Sequence, residues 1–329
     1  MYRKLLFTFF LVIQFNLHGQ NRELKTLLDS CMVNMEKYAL NKSKVNWPSL
    51  KMQVEDAAKT MENPDDLKRI MSFLFEKLDD FHGQLIYKGK SFKWNPAPNN
   101  VSKEIQEQWN KNVGIKTAMF DDIAYLLVPF MLRQEREARV KELSDSLCKL
   151  LDRKPKGLIL DLRINDGGDM HPMLLGLQQL LGNRMIMTYH YEDEPPNRII
   201  LNGDAIFHET DKILSNSPKC RFDATTLPVV LLQSAQTASS GENVLISFKG
   251  RHNTLTIGED SAGYTTINTR FEFGPDVYLL LAVGYATDRN GTMHLGKIKP
   301  DLSIKSVDNF QDLTRDEKVL AAIKRLDKF

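Results

Sequence analysis

The 329-residue chain carries 44 Lys and Arg against 42 Asp and Glu, a net charge of +2, with 42% apolar and 26% charged residues. This is an ordinary globular balance, long enough for one large domain with a small one, or for two ordinary domains. No clustered basic run is present, which excludes the electrostatic footprint of a nucleic-acid binder.

The first twenty residues differ from the rest. Tyr2-Arg3-Lys4 is cationic, Leu5 to Leu17 is apolar apart from Thr8, Gln14 and Asn16, and His18-Gly19-Gln20-Asn21 is polar. That three-part order is the pattern of a secretory signal. The apolar run is too short for a bilayer span, which needs about 20 residues. Residues 1–20 are therefore expected to be a signal peptide. The rest is expected to be exported, periplasmic or extracellular, with no stable membrane span.

Residues 21–83 read as a small helical domain. Leu24, Leu27, Leu28, Cys31, Met32, Met35 and Leu40 follow a 3.6-residue period. Pro48-Ser49 marks a break with a cap, and a helix follows through Lys59. Asn63-Pro64-Asp65-Asp66 starts a third helix with acidic residues in its first turn.

Residues 84–313 read as an α/β core. Trp94 to Asn100 has the composition of a loop, and Ile123 to Phe130 has the length of a strand. A charged amphipathic helix is expected over residues 132 to 153. Gly157 to Leu162 is a buried strand by its continuous apolar run, followed by a Gly-Gly turn and a helix from His171 to Leu181. The same order recurs: a strand from Leu227 to Leu232, a small-residue turn, and a helix from Ser240 to Phe248. Thr254 to Gly258 and Val277 to Val283 are further strands, and residues 314–329 hold a closing helix. Residues 183–226 read as an insertion. Strands alternating with helices imply an α/β layer fold.

The chain has three cysteines, Cys31, Cys148 and Cys220, none in a Cys-x-x-Cys pair. Cys31 and Cys148 sit in helical patterns beside apolar neighbours, where core packing is expected. Neither a disulfide nor a metal site is expected.

Three segments can carry chemistry. Thr237-Ala238-Ser239-Ser240-Gly241-Glu242 follows a buried strand and opens a helix. A serine there lies among free backbone N–H groups that stabilise negative charge, although Ser is also an ordinary helix cap. Asp161 to Gly168 ends another buried strand, and its double glycine allows an N–H to turn into a site or simply makes a tight turn. Leu78-Asp79-Asp80-Phe81-His82-Gly83 offers His82 as a general base, or as a cation near a helix C-terminus.

Together these segments resemble the C-terminal processing (tail-specific) serine peptidases. Six blocks stand in that family's order. They are Leu-Asp-Asp-Phe-His, Ile-Ala-Tyr-Leu-Leu-Val-Pro-Phe, Gly-Leu-Ile-Leu-Asp-Leu-Arg-Ile-Asn-Asp-Gly-Gly, Pro-Val-Val-Leu-Leu-Gln through Thr-Ala-Ser-Ser-Gly-Glu, Thr-Ile-Gly-Glu-Asp-Ser-Ala-Gly, and Gly-Lys-Ile-Lys-Pro-Asp. The resemblance implies a crotonase-like arrangement of sheet and helix layers and a serine nucleophile at Ser239, three residues before Glu242. It also implies an oxyanion hole from the N–H groups of Ser240 and of Gly167 or Gly168.

The tail-specific branch places a lysine base where this chain has Tyr264. The chain is more similar to the branch of the tricorn core and the interphotoreceptor retinoid-binding repeats, which implies His82 as base. Gly83 follows it where many relatives have a hydroxyl residue. His294 falls near the position of the tricorn glutamate, and Asp79 or Asp80 is a candidate to orient His82. Only 40 residues separate His82 from Ile123, too few for a PDZ domain. The resemblance implies a peptide or protein substrate and no metal or organic cofactor. The same fold also serves non-catalytic relatives, so a binding protein for a peptide or apolar ligand is the alternative.

Overall fold

The computed structural model describes residues 22–95 and 100–328. The expected signal segment lies outside the described residues, as does part of the loop after Trp94. Among the described residues no helix is long and apolar enough to cross a membrane. The chain divides into two compact units. One holds the described residues up to 95 with Ile267–Gly284, and the other holds residues 100–266 and those from Tyr285 onward.

The first unit is built on three helices, over residues 22–38, Trp47–Lys59 and Pro64–Lys77. Asn46, rather than the expected Ser49, caps the second helix, accepting from the Ser49 N–H at 3.2 Å. Pro48 then lies in the first turn, where its missing N–H leaves no bond unmade. Asn63 and Asp66 form a reciprocal capping box on the third helix. A hairpin of Gln84–Tyr87 and Lys90–Phe92 turns at Lys88 and Gly89, both with positive φ, the geometry that suits the twist of paired strands. Gln84–Tyr87 also pairs antiparallel with Val277–Leu280. Leu24, Leu28, Cys31, Met35, Leu74 and Phe75 are buried.

The second unit holds a six-stranded sheet in the order Leu302–Ser303, Thr254–Gly258, Val229–Gln233, Gly157–Asp161, Ile123–Leu127, Lys116–Phe120. All pairings are parallel except the last. The four inner strands are buried along their whole length apart from the start of Thr254–Gly258, as strands of a sheet covered on both faces are. This mixed α/β architecture with a small helical N-terminal region agrees with the expected fold class. Residues 183–226 contain an antiparallel meander of Met185–Tyr191, Asn197–Asn202, Ala205–His208 and Asp211–Ser215.

A buried ionic cluster ties the C-terminal segment to this sheet. Arg163 is fully buried and bonds Asp161 at 2.6 Å, Asp308 at 2.7 Å and Asp316 at 2.7 Å. Fully buried Lys318 bonds Asp308 at 2.8 Å and Glu259 at 3.1 Å, and the Tyr125 hydroxyl donates to Asp161 at 2.7 Å. The closing helix starts at Glu317, later than expected, because Asp316 caps it by accepting from the N–H groups of Lys318 and Val319. Removing Arg163 leaves three carboxylates without their main partner. Arg163→Met is expected to lower stability by about 3–5 kcal/mol, read by urea unfolding.

The expectation of no disulfide does not hold: Cys148, on the helix Arg136–Leu151, is bonded to Cys220. Local apolar neighbours fit a core thiol, but the helix turns Cys148 toward a loop 72 residues further along the chain. Gln179 fixes that loop, donating to the Cys220 carbonyl at 3.1 Å and accepting from the Phe222 N–H at 2.8 Å. Cys31 is a free thiol in the core, as expected. Replacing both Cys148 and Cys220 by Ser is expected to cost about 2–5 kcal/mol, measured by denaturant unfolding without reductant.

Candidate active site

The sheet register brings two of the sequence segments together. Leu232 pairs with Asp161 in parallel strands, so Asn165–Gly168 and Thr237–Ser240 leave the sheet side by side at its carboxyl end. Ligands of open α/β sheets bind at that end. Several bonds lock the two segments. Thr237 Oγ1 donates to the Leu162 carbonyl at 2.8 Å, the Ala238 N–H to the Asn165 carbonyl at 3.0 Å, and Ser240 Oγ to the Gly168 carbonyl at 2.8 Å.

Ser239 sits between strand and helix with φ +51° and ψ −115°. A residue with a Cβ rarely adopts this conformation, at a cost of about 1–3 kcal/mol. Such a turn thrusts the side chain out of the backbone, as in the nucleophile elbow of the α/β-hydrolases. Ser239 is accordingly part-exposed, while Ser240 is buried.

Glu242 holds this turn. Its fully buried carboxylate accepts from the Ser239 N–H at 2.8 Å, the Ser261 hydroxyl at 2.5 Å and the Gly263 N–H at 2.7 Å. Burial pushes Glu242 up to about 7, against the opposing pull of these donors and of the Tyr264 backbone. Tyr264 is half-buried, and burial, then the Glu242 charge, raises its phenol.

Gly167 and Gly168 have φ of +116° and +97°. A Cβ on Gly167 would lie 2.9 Å from Ser239 Cβ and 3.2 Å from the Ser240 nitrogen. A Cβ on Gly168 would run into the Met131 carbonyl. Only glycine therefore fits at either position. The Gly167 N–H is taken by Asn165 Oδ1 at 3.0 Å. Asn165 in turn donates to the carbonyls of Val128 and Pro129, each at 3.1 Å. The N–H groups of Gly168 and Ser240 have no acceptor among the described residues.

Sequence reasoning passed over Asn165 as a brace of the glycine loop, and also the array that follows it. Asp169 accepts from His171 Nδ1 at 2.6 Å and from Arg136 at 2.5 Å, and His171 Nε2 lies 3.0 Å from His208 Nε2. Burial raises Asp169, but His171 and Arg136 more than offset this and hold it at about 2. Burial and then His171 lower His208 to about 4. The one signal in the sequence was Asp-x-His directly after the double glycine.

In the first unit, Asp80 organises the backbone around His82. Its carboxylate accepts from the N–H groups of His82 at 3.1 Å, Gly83 at 2.6 Å and Ala282 at 3.0 Å. Burial pushes it up to about 6 despite these donors. A Cβ on Gly83 would meet the Phe75 ring at 2.6 Å and Asp80 Cγ at 2.8 Å, which explains glycine there in place of a hydroxyl residue. His294 pairs through Nε2 with Asp288 at 3.1 Å, on a short strand beside Ala286–Thr287. Among the described residues no cluster of metal-ligating side chains is present.

Glu242 has a folded pKa above its ordinary value, so the native state binds more protons than the unfolded chain between about pH 4.5 and 7. Its contribution to stability therefore falls as pH rises through that window. Glu242→Gln, which cannot ionise, removes this slope. Urea unfolding at pH 5 and pH 7.5 is expected to show a smaller drop in the variant, by roughly 1–3 kcal/mol.

Comparison with known proteins agrees with this architecture. Residues 122–304 match the model of peptidase family S41. The nisin-resistance protein of Lactococcus lactis subsp. lactis is 32% identical over 148 residues, 44% of this chain and 45% of that protein. The match thus spans less than half the length of that curated relative. A lipoprotein from Streptococcus agalactiae has a similar fold, with a TM-score of 0.69 at 22% identity over 94% of this chain and 96% of that one. The photosystem II D1 C-terminal processing protease aligns with a TM-score of 0.56 at 13% identity over 91% of this chain and 96% of that one. With the family model covering more than half its length, the chain belongs to peptidase family S41.

Proposed function

We propose that the chain is an exported serine peptidase that cleaves peptide or protein substrates through an acyl-enzyme on Ser239. The observation that carries this reading is the backbone of Ser239, strained at a strand-to-helix turn and clamped there by the buried Glu242. A plain helix cap has no need of that strain.

Ser239 Oγ attacks the substrate carbonyl carbon, and His82 takes its proton and passes it to the leaving amine. The N–H groups of Gly168 and Ser240 hold the oxyanion, Gly167 serving as the close-packed neighbour of Ser239. Water then attacks the ester, and Ser239 regains its proton. Glu242 is a positioning residue, acting through the backbone of Ser239. Asp80 positions the backbone at His82. Tyr264 is a wall residue, and His294 is given no catalytic step beyond its pairing with Asp288. Export is supported by the Cys148–Cys220 disulfide, a bond typical of oxidising compartments, and by relatives named as a nisin-resistance protein and a lipoprotein.

Tyr264, standing where tail-specific peptidases have their lysine, favours a second reading: a peptidase fold that binds a peptide or apolar ligand without cleaving it. A fluorophosphonate probe separates the two. Labelling of Ser239, located by mass spectrometry, is expected in the wild type and absent in Ser239→Ala. It should be slowed about 10²–10⁴-fold in His82→Ala and unchanged in Tyr264→Phe. A folded wild type that does not label at all supports the binding reading instead.

A further inference from the structure

The helix that starts at Ser240 ends at Phe248, about 13 Å from Ser239 along its axis. Beyond that far end a pocket of about 400 Å³ opens. Arg184, Arg251, Arg289 and His252 line it, over an apolar floor that includes Leu180 and Met185. Among the described residues no carboxylate lines it.

The three arginines are held in different ways. Arg251 is buried and spends all five N–H donors. They go to the carbonyls of Leu180, His252, Ala224 and Leu227 and to Thr254 Oγ1, at 2.6–3.0 Å. Its charge is thus fixed in place and faces no acid of its own. Arg289 donates once, to the Ser247 carbonyl at the helix end, at 2.7 Å. Its Nε is buried and has no partner among the described residues. Arg184 is exposed and makes no hydrogen bond among the described residues.

Asp223 and Asp288 lie within electrostatic reach, and both already accept hydrogen bonds. Asp223 accepts from the Thr225 N–H at 3.1 Å and hydroxyl at 2.6 Å. Asp288 accepts from the Asn290 and Thr292 N–H groups and from His294. Burial, then Arg289 and Arg184, lowers Arg251 to about 10, so the three cations feel one another.

We infer that this pocket binds a phosphate monoester, its phosphoryl group between Arg184 and Arg289 and its organic group against Leu180 and Met185. A dianion relieves the mutual repulsion of three guanidinium groups more fully than a carboxylate does. It also supplies acceptors for the unused N–H donors of Arg289 and Arg184. The volume exceeds what inorganic phosphate needs and falls in the range of small-molecule sites. The site is separate from Ser239, and the inference does not depend on peptidase activity.

Calorimetric titration of the full chain with phenyl phosphate, inorganic phosphate and benzoate tests it. Phenyl phosphate is expected to bind at least about tenfold more tightly than benzoate, and more tightly than inorganic phosphate. Arg184→Ala, a surface change that spares the fold, should weaken it by about tenfold or more, and Arg289→Lys should also weaken it. Ser239→Ala should bind like the wild type. Absence of binding up to about 10 mM, equal affinity for benzoate, or unchanged affinity in Arg184→Ala would overturn the site. Equal affinity for inorganic phosphate would overturn the role given to the organic group.

Discussion

The carboxylate of Glu242 is the constraint on which the Ser239 turn rests. It lies buried beneath the first turn of the Ser240 helix and draws in donors from two directions. One is the strained Ser239 backbone, and the others are Ser261 and Gly263 on the segment that follows the next strand. A buried acid with several donors is rigid, because losing any one of them leaves a polar group unpaired in a dry setting. That rigidity keeps Ser239 in a conformation the chain would otherwise leave.

The neighbouring glycine loop is fixed from the other side. Asn165 fastens it to Val128 and Pro129, and Asp169 fastens its end to Arg136 and His171. The loop therefore presents the Gly168 N–H beside the Ser239 turn without depending on substrate to order it. Below both lies the Arg163 cluster, in which Ser234 Oγ bonds the Arg163 carbonyl at 2.6 Å. Burying so many charges is not in itself stabilising, since desolvation offsets much of the attraction. What the cluster does join is plain: Asp308 and Asp316 tie the C-terminal segment to Arg163, which follows one of the strands that carry the two loops.

Much of this was legible in the residues. Continuous apolar runs marked the buried strands, Asn63 with Asp66 marked a helix start, and small residues after a strand marked the Ser239 turn. Other features were hidden. Asp161-Leu162-Arg163 reads as part of a loop motif, yet Arg163 also bonds Asp308 and Asp316, 145 and 153 positions away, and no local pattern announces that. Cys148 reads as a core thiol because its neighbours on the helix are apolar, and only the approach of the Cys220 loop makes it half of a disulfide. The same holds for Arg184, Arg251 and Arg289, which lie far apart in the chain and share one pocket.

The sequence by itself determined the alternation of strands and helices, the family, and the residue types at the Ser239 turn and the glycine loop. These are set by periodicity, by short-range turn chemistry and by spacing along the chain. The tertiary structure decided which groups face one another. It gave Glu242 the Ser239 N–H, took the Gly167 N–H for Asn165 and left that of Gly168 without an acceptor among the described residues. It paired His294 with Asp288 and buried Arg163 among carboxylates from the chain's end. Such pairings depend on where strands place residues far apart in sequence, and on burial that makes each unmade bond costly.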